Sequence, residues 1–284
     1  MPELPEVETI ARGVDKRIRG DRIVQVWFSR RPQTFKTPPA RQIKGLTGRT
    51  ILAVHRTGKH IVFELSPSAS APDAHEREAL RSCAQWIVHL GMTGRLLVTS
   101  PESPVASHTH ARLFLESGRE LRFIDPRRFG RLEFRDLRRE AAFGAPGDEP
   151  LIIGEREFAA LFRDRRLSIK AALLNQTLLA GVGNIYADES LFHAGIRPRR
   201  RANRLTLVEL DRLRLALRQI LTHAIRLGGS SVSDYVGADG EHGFFQLEHC
   251  VYQRTAEPCR RCQTPIRRII VAGRGTHYCP TCQR

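Results

Sequence analysis

The alternation of apolar and polar positions divides the chain into a helical start, a region of short strands and a helical second half. Apolar residues recur at helical spacing over residues 3–19 and stop before Gly20, which predicts one helix there. Between 22 and 135, short apolar or alternating runs recur: RIVQVWF, ILAVHR, HIVFEL, WIVHLGM, ARLFLE, ELRFI and RLEF. Runs of this length, separated by Gly, Pro and Ser, predict an antiparallel sandwich or barrel.

A Gly- and Pro-rich segment, GAPGDEP at 144–150, follows the last strand run and predicts a linker after a first domain of residues 1–143. Helical periodicity then fills residues 151–248 and includes a long helix that starts with a capping-box pattern at Thr206 and Glu209. Residues 249–284 form a third segment around a cysteine cluster. The stretch 66–85 has loop composition at its start, and we expect a surface excursion there.

Composition excludes several classes of protein. The 284 residues are 41% hydrophobic and 27% charged, which supports a folded core and argues against general disorder. No apolar run approaches the ~20 residues that a membrane-spanning helix needs. The N-terminus, MPELPEVETI, begins with prolines and acids, unlike a signal peptide. The sequence therefore predicts a cytoplasmic protein without membrane contact.

The charge balance points to a polyanionic partner. The chain has 46 Lys and Arg against 30 Asp and Glu, a formal net charge of +16, which favours nucleic acid. Arginine makes up nearly all of this excess, because only five of the basic residues are lysines. An alternative is that genome composition selects arginine and that part of the excess is solvated surface. The few lysines then become the more informative positions.

Four cysteines have the spacing of a metal site. Two CxxC pairs are separated by sixteen residues, a pattern typical of a closed tetrahedral zinc site with a structural role: Cys259, Cys262, Cys279 and Cys282. A redox pair or buried free thiols are the alternative. Between the pairs, a β-type run predicts a hairpin in which Arg274 projects from a turn between two glycines. Its guanidinium suits phosphate binding, although a solvated arginine fits the pattern nearly as well.

The N-terminus contains a second candidate site. If Met1 is removed, Pro2 has a secondary amine, and an α-amino group with a pKa of ~8 is a usable nucleophile near neutral pH. Glu3 and Glu6 are one helical turn apart, so one carboxyl group can act as a general acid while the other orients it. The alternative is an ordinary helix start, with Pro and acids placed to complement the helix dipole.

Several motifs together resemble a known family. MPELPEVET, HLGMTGRL, DPRRFGR, GVGNIYADESLF, DGEHGFFQ and the CxxC pairs occur in the order found in bacterial formamidopyrimidine-DNA glycosylases, over nearly the whole chain. Leu4 favours this group, since the related endonuclease VIII group typically has PEGPE at that place. The resemblance implies an enzyme that removes oxidised purines from DNA.

The resemblance implies catalytic roles for matching residues. The Pro2 amine would attack C1′ of the damaged nucleotide, displace the base and form a Schiff base, and β,δ-elimination would then cleave the strand. Glu3 would be the general acid, supported by Glu6. Lys59 would lie near the lesion and its flanking phosphate, and Arg274 would complete the site from the zinc hairpin.

The same resemblance implies DNA contacts. Met92, Arg127 and Phe129 would fill the gap that the everted nucleotide leaves, as flexible plug, hydrogen-bond donor and wedge. Other residues would bind phosphates or close over the base: His108, Lys170, Asn184 and Tyr235. HTHAR at 108–112 lacks the lysine that often precedes this histidine pair, which weakens the expectation for His108. Tyr235 falls in a Gly-containing loop, 230–246, expected to cover the everted base.

Taken together, the sequence predicts an α+β multidomain protein. An N-terminal β-sandwich with a catalytic N-terminal helix would precede a helix-two-turn-helix domain and a four-cysteine zinc-finger β-hairpin. We expect one structural Zn²⁺, damaged double-stranded DNA in a basic cleft between the domains, a monomer, and a nucleoid-associated location. The alternatives are an endonuclease VIII-like glycosylase for oxidised pyrimidines and a noncatalytic DNA-binding protein.

Overall fold

The computed structural model describes residues 1–31, 34–67, 82–231, 237 and 243–284. The chain divides into two compact units. The first consists of Met1–Pro2, Glu6–Gly144 and Ser230–Gly243, and the second of Glu3–Pro5, Ala145–Gly229 and Phe244–Arg284.

Helix α1 spans Leu4–Ile18, as the helical spacing predicts. Its apolar stripe is buried in the core of the first unit: Val7, Ile10, Val14 and Ile18. Gly20 follows with φ +82°, a left-handed conformation that glycine adopts without strain and that ends helices. The residues of the helix from Glu6 onward belong to the first unit.

Eight strands form two four-stranded antiparallel sheets in the first unit. The strands are β1 Ile23–Phe28, β2 Ile51–Thr57, β3 His60–Leu65, β4 Ala84–His89, β5 Arg95–Thr99, β6 Thr109–Leu115, β7 Glu120–Ile124 and β8 Arg131–Asp136. One sheet has the order β1-β6-β7-β5 and the other β2-β3-β4-β8. Both sheets and α1 contribute to one hydrophobic core, so the unit is a sandwich, and the predicted fold class is confirmed.

One strand and one helix of this unit were not predicted from the sequence. Strand β5 lies directly after a Gly-containing turn, and helix α2 spans Pro39–Leu46. Helix α2 buries Gln42, whose side chain accepts a hydrogen bond from Trp86 Nε1 at 2.9 Å. Its Gly45 packs against the ring of Phe134, with no room for a Cβ. One of the two buried residues of this helix is thus a glutamine, which the search for apolar positions does not detect.

The second unit is mainly helical. It contains α3 Glu155–Phe162, α4 Ile169–Leu173, α5 Asn184–His193 and α6 Leu207–Arg226, short 3₁₀ helices at Ala202–Arg204 and Phe245–Glu248, and a hairpin of β9 Arg267–Val271 and β10 Arg274–Tyr278. The Thr206 side chain and Glu209 form the predicted capping box at the start of α6. No helix of the described residues is long and apolar enough to cross a membrane.

The segment predicted as a linker, 144–150, is hydrogen bonded to the second unit. Asp148 N donates to Leu178 O at 3.0 Å, and Ala180 N donates to Asp148 O at 2.9 Å. Gly147 lies against the backbone of Gln176, where a Cβ would stand 2.5 Å from the carbonyl oxygen. Most of this Gly- and Pro-rich segment is thus tied to one unit by backbone contacts.

Candidate active site and nucleic-acid interface

The carboxylate of Glu3 lies at the N-terminus of helix α5. Its Oε1 accepts a hydrogen bond from Ile185 N at 3.1 Å and its Oε2 from Tyr186 N at 3.4 Å, and the residue is 5% exposed. Gly183 precedes the helix, and a Cβ there would overlap the Glu3 carboxyl group. The free amides and the dipole of a helix N-terminus favour an anion, so α5 holds this carboxylate in a fixed position.

The backbone beside Glu3 is fixed to the same turn. Leu4 N donates to Gly181 O at 3.0 Å. Gly181 has φ +92°, and a Cβ there would stand 2.9 Å from the Cβ of Leu4. The N-terminal PELPE motif and the GVGN turn, about 180 residues apart in sequence, therefore contact each other directly through backbone and side chain.

The two glutamates expected to share a site have different partners. Glu6 is 2% exposed, and its Oε1 accepts a hydrogen bond from Ser230 N at 2.7 Å. Glu3 precedes α1, whereas Glu6 lies in its first turn. Pro2 is buried, and its nitrogen is part of the Met1–Pro2 peptide bond in the structure. Glu6 thus anchors the segment at Ser230, the start of the 230–246 loop.

Lys59 lies in the two-residue turn between β2 and β3, and the residue is only 9% exposed. Gly58 in the same turn has φ +61°. The Arg56 side chain fixes this turn: its Nε donates to Glu8 Oε2 at 2.8 Å and its Nη1 donates to Gly58 O at 3.1 Å. Arg56 therefore ties the Lys59 turn to helix α1, a contact that no sequence signal indicated.

Two histidines next to Lys59 are neutral at physiological pH. The rings of His60 and His89 lie 4.8 Å apart. Burial lowers the pKa of His60 to about 4, helped by the neighbouring His89. Burial and the charge of Lys59 lower the pKa of His89 to about 4 as well. The unprotonated Nδ1 of His89 accepts a hydrogen bond from Gly91 N at 3.2 Å and so helps to set the loop after β4.

The three predicted gap-filling residues lie on two adjoining loops of the first unit. Met92 and Phe129 are 41% and 49% exposed, unusual values for apolar side chains of their size. Arg127 is also exposed, and its guanidinium carbon lies 4.8 Å from the centre of the Phe129 ring. These side chains form an exposed cluster of apolar and cationic groups, as a surface that contacts stacked bases requires.

A buried carboxylate braces these loops. Asp125 is fully buried, its Oδ1 accepts from Thr93 Oγ1 at 2.6 Å, and its Oδ2 accepts from Gly130 N at 2.7 Å. Gly91, with φ +65°, packs so closely that a Cβ would stand 2.5 Å from Gly130 N. Asp125 occurs in the DPRRFGR motif, but the sequence analysis assigned it no role.

His108 and its neighbour His110 lie in different surroundings. His108 is exposed, with φ +64°, and its carbonyl oxygen accepts from Asp125 N at 3.0 Å. His110 is 1% exposed, and its ring nitrogens contact Ser29 Oγ and the Asp125 carbonyl oxygen, both at 3.0 Å. Of the pair, His108 alone presents its side chain at the surface.

Lys170 is fully buried in the second unit. Its Nζ lies 2.7 Å from Asp188 Oδ1 and donates to Thr276 Oγ1 at 2.7 Å and to Gly275 O at 3.2 Å. Burial lowers the pKa of Lys170, while the Asp188 charge opposes that shift. This ammonium group joins α4 and α5 to the hairpin. The family resemblance implies a phosphate contact for Lys170, and its described contacts are with groups of the protein.

Asn184 and Arg274 flank the same part of the hairpin. Asn184 is the first residue of α5, and its Nδ2 donates to Gly275 O of the hairpin at 3.0 Å. Arg274 is exposed and is the first residue of β10, paired with Val271. The turn consists of Ala272 and Gly273, both with positive φ, so the expectation that Arg274 projects from the turn itself is wrong by one position.

The four predicted metal ligands converge. All four sulfur atoms lie within 4.8 Å of one another, with 3.9 Å between Cys259 and Cys282 and 3.4 Å between Cys262 and Cys279. Sulfurs at the corners of a tetrahedron around zinc, with Zn–S bonds of ~2.3 Å, stand about 3.8 Å apart. The cluster fits one structural zinc ion.

Cys83 and Cys250, the two cysteines outside the CxxC pairs, are half-buried. Tyr235 lies outside the described residues, as do most of the 230–246 loop and most of the 66–85 stretch. Both ends of the loop are described, and they are joined by a hydrogen bond that Ser231 Oγ accepts from Gly243 N at 2.8 Å.

Comparison with known proteins places these features in one family. Three family models match: the formamidopyrimidine-DNA glycosylase N-terminal domain at residues 1–132, its H2TH domain at 147–236, and the zinc finger found in FPG and IleRS at 256–284. The chain is 43% identical over the full length of both chains to a formamidopyrimidine-DNA glycosylase of Solibacter usitatus. The sandwich, the H2TH domain and the zinc finger are those of a DNA glycosylase. The chain belongs to the formamidopyrimidine-DNA glycosylase family.

Solved structures support the same assignment. A wild-type Lactococcus lactis Fpg in complex with DNA containing N7-benzyl-Fapy-dG matches with a TM-score of 0.86 and 35% identity, and covers 100% of both chains. The L. lactis Fpg with DNA containing an abasic site matches with the same TM-score and identity over 99% of both chains. A MutM complex with DNA containing carbocyclic 8-oxo-G has a TM-score of 0.85, also over 100% of both chains.

Proposed function

We propose that this protein excises oxidised purines, 8-oxoguanine and formamidopyrimidines, from duplex DNA and then cleaves the strand at the resulting abasic site. The observation that carries the proposal is the position of Glu3, the residue after Pro2. Its carboxylate is bound at the N-terminus of α5, and the next residue, Leu4, is hydrogen bonded to the GVGN turn. A fixed carboxylate next to the residue whose amine would attack the sugar supports the proposal. The L. lactis Fpg and MutM complexes contain DNA with lesions of these classes.

The reaction requires removal of Met1, which frees the secondary amine of Pro2. The lone pair of that nitrogen attacks C1′ of the damaged nucleotide, and the glycosidic bond breaks with its electrons going to the base, which takes up a proton. Opening of the sugar gives an iminium ion at C1′. Elimination then breaks the bonds to the 3′ and 5′ phosphates in turn, and water releases the sugar remnant from the amine.

Glu3 moves the protons in this scheme. As a carboxylate it takes the proton that the Pro2 nitrogen loses after the attack, gives that proton to the sugar ring oxygen as the ring opens, and accepts another during elimination. The amides of Ile185 and Tyr186 bind its charged form. Glu6 supports the site by fixing Ser230, and Lys59 lies beside the lesion and its flanking phosphate.

DNA binding follows from the remaining predicted residues. Met92, Arg127 and Phe129 occupy the space of the everted nucleotide, because they are the exposed groups of the braced loops. Asn184 and Arg274 contact phosphates directly, and His108 does so from the sandwich. Lys170 supports the phosphate contact of Arg274, because it is hydrogen bonded to the hairpin that contains Arg274. Tyr235 belongs to the loop that covers the base.

The proposal extends to organisation and location. We assign residues 1–143 to the catalytic sandwich domain, 144–150 to a linker, 151–248 to the helix-two-turn-helix domain and 249–284 to the zinc-finger hairpin. The protein acts as a monomer on damaged double-stranded DNA, in the bacterial cytoplasm and in association with the nucleoid. The net charge of +16 supports the last point, since it favours a polyanionic partner.

The test is cleavage of matched duplexes that contain 8-oxoguanine, a formamidopyrimidine or thymine glycol. The proposal predicts fast incision of both purine substrates and slow incision of the pyrimidine. Faster incision of thymine glycol would favour the endonuclease VIII-like alternative. Duplex binding without incision of any of the three would favour a noncatalytic protein. The affinity for duplex DNA should fall steeply as salt rises, because several phosphates are contacted.

A further inference from the structure

Outside the four-cysteine cluster, a second group of metal-ligand side chains converges in the second unit. Glu189 and His193 are four residues apart and so lie on one face of α5, and Cys250 follows the 3₁₀ helix Phe245–Glu248. One oxygen, one nitrogen and one sulfur atom from these residues lie within 4.8 Å of one another. Glu189 is buried, and the other two are half-buried.

The spacing is close to what a bound cation requires. Cys250 Sγ lies 3.7 Å from His193 Nε2. With bonds of ~2.3 Å to sulfur and ~2.05 Å to nitrogen, these atoms around a tetrahedral zinc ion stand about 3.6 Å apart. The carboxylate oxygen lies within 4.8 Å of both atoms, so a shift of at most about 1.4 Å brings it to the ~3.4–3.6 Å that a tetrahedral site requires.

Each of the three side chains has a free position for a ligand bond. Among the described residues, Glu189 Oε1 accepts hydrogen bonds from Val251 N and Tyr252 N, whereas Oε2 accepts one, from Cys250 N at 2.9 Å. A carboxylate oxygen has two acceptor positions, so Oε2 keeps one. The Nε2 atom of His193 lies beside Cys250 Sγ and is the nitrogen available for the ligand bond.

We propose that Glu189, His193 and Cys250 form a second metal site that takes a zinc-like divalent cation, separate from the four-cysteine zinc. Three protein ligands of mixed O, N and S type leave a fourth, tetrahedral position for water. On binding, a bond forms between the cation and Cys250 Sγ, the S–H bond breaks, and the proton passes to solvent.

Binding at this site is weaker than at the four-cysteine cluster. The site offers three ligands, only one of them a thiolate, whereas the cluster offers four thiolates. The site therefore fills after the zinc finger does. When filled, it cross-links the last turns of α5 to residue 250, the start of the segment that leads into the zinc hairpin.

The test uses the full chain with its four-cysteine site loaded with one zinc per molecule, titrated with Co²⁺. We expect one further Co²⁺ to bind with a thiolate-to-cobalt charge-transfer band in the near ultraviolet. Cys250→Ser should abolish that band, and both Cys250→Ser and His193→Gln should weaken binding by more than the ~10- to 100-fold that loss of an outer-shell partner costs. Cys83→Ser, which removes the half-buried thiol of the sandwich, is the matched control and should titrate like wild type.

Zinc content and circular dichroism are measured on every protein. If one of the two ligand variants has lost its zinc or its fold, the comparison with wild type uses the other ligand variant. The proposal is wrong if the wild type binds no Co²⁺ beyond its zinc. It is equally wrong if Cys250→Ser and His193→Gln, folded and with one zinc each, give the band and affinity of wild type.

Discussion

Two regions predicted to contact DNA use their key side chains in opposite ways. In the sandwich, Met92 and Phe129 are held at the surface at 41% and 49% exposure by loops that a buried Asp125 braces. In the helical unit, Lys170 is fully buried against Asp188, whereas Arg274 of the neighbouring hairpin is exposed. We infer that a motif residue serves a DNA interface either by contacting the DNA or by fixing the residue that contacts it.

We therefore predict that substitution of the buried Lys170 mainly changes stability, whereas substitution of the exposed Met92 and Phe129 mainly changes activity. Removal of a buried, paired charge leaves its partner without compensation, which destabilises the fold. Removal of an exposed apolar side chain leaves the fold intact and affects only the surface that the side chain serves.

The largest effect is expected for Lys170→Met. It leaves the buried Asp188 carboxylate without its cation, and we expect a loss of about 3–5 kcal/mol in the free energy of unfolding. Denaturant unfolding followed by circular dichroism measures this loss. Arg274→Ala, at the exposed neighbour, should change stability by less than about 0.5 kcal/mol while it weakens DNA binding.

The double variant Lys170→Met/Asp188→Leu sharpens this test. With both charges removed, most of the lost stability should return, because the cost comes from the unpaired carboxylate. A Lys170→Met protein as stable as wild type, with DNA binding reduced as in Arg274→Ala, would instead assign Lys170 to direct phosphate contact.

The next effect is expected for Asp125→Ala. It leaves the buried Gly130 N–H and the Thr93 hydroxyl without their acceptor, at a cost of about 2–3 kcal/mol. The loops that present Met92 and Phe129 lose their brace, so lesion incision should fall together with stability. Thermal unfolding and incision assays on the same preparation test the link. Unchanged incision in a folded, destabilised protein would disprove the bracing role.

A smaller effect is predicted for pH. His60 and His89 have pKa values of about 4 in the folded sandwich against 6.5 in the unfolded chain. Because the folded state favours their neutral form, their stabilising contribution is complete above pH 6.5 and is lost as pH falls through 4. We expect about 1–2 kcal/mol for each partly exposed ring. Urea unfolding from pH 7 to 4 measures this, and His60→Phe should flatten the curve.

The smallest effect on stability is expected for Met92→Ala combined with Phe129→Ala. Both side chains are exposed, so the free energy of unfolding should change by less than about 0.5 kcal/mol. Incision of a lesion-containing duplex should fall at least about tenfold, since the everted state loses the groups that fill its gap. An incision rate equal to wild type would remove these residues from the DNA interface.

Much of the fold was predictable because its signals are local. The stripe of Val7, Ile10 and Val14 predicted α1, and the capping box predicted the start of α6. Two CxxC pairs predicted the metal cluster, since each turn brings its own pair of sulfurs together. The family motifs predicted which residues are candidates for the site.

The rest depends on contacts between distant segments, which residue type alone does not encode. The burial of Lys170 follows from Asp188 and Thr276, which lie 18 and 106 positions further along the chain. Helix α2 escaped prediction because its inward face includes Gln42. Glu3 and Glu6 are neighbours on one helix start, yet their carboxylates bind amides of different segments.

The central claim is that the Pro2 amine is the nucleophile. Its most direct test is borohydride trapping on an 8-oxoguanine duplex, followed by proteolysis and mass spectrometry of the DNA-linked peptide. We predict that the sugar remnant is attached to the nitrogen of Pro2 in a peptide that lacks Met1. Attachment to Lys59, or trapping by a chain that retains Met1, would contradict the account.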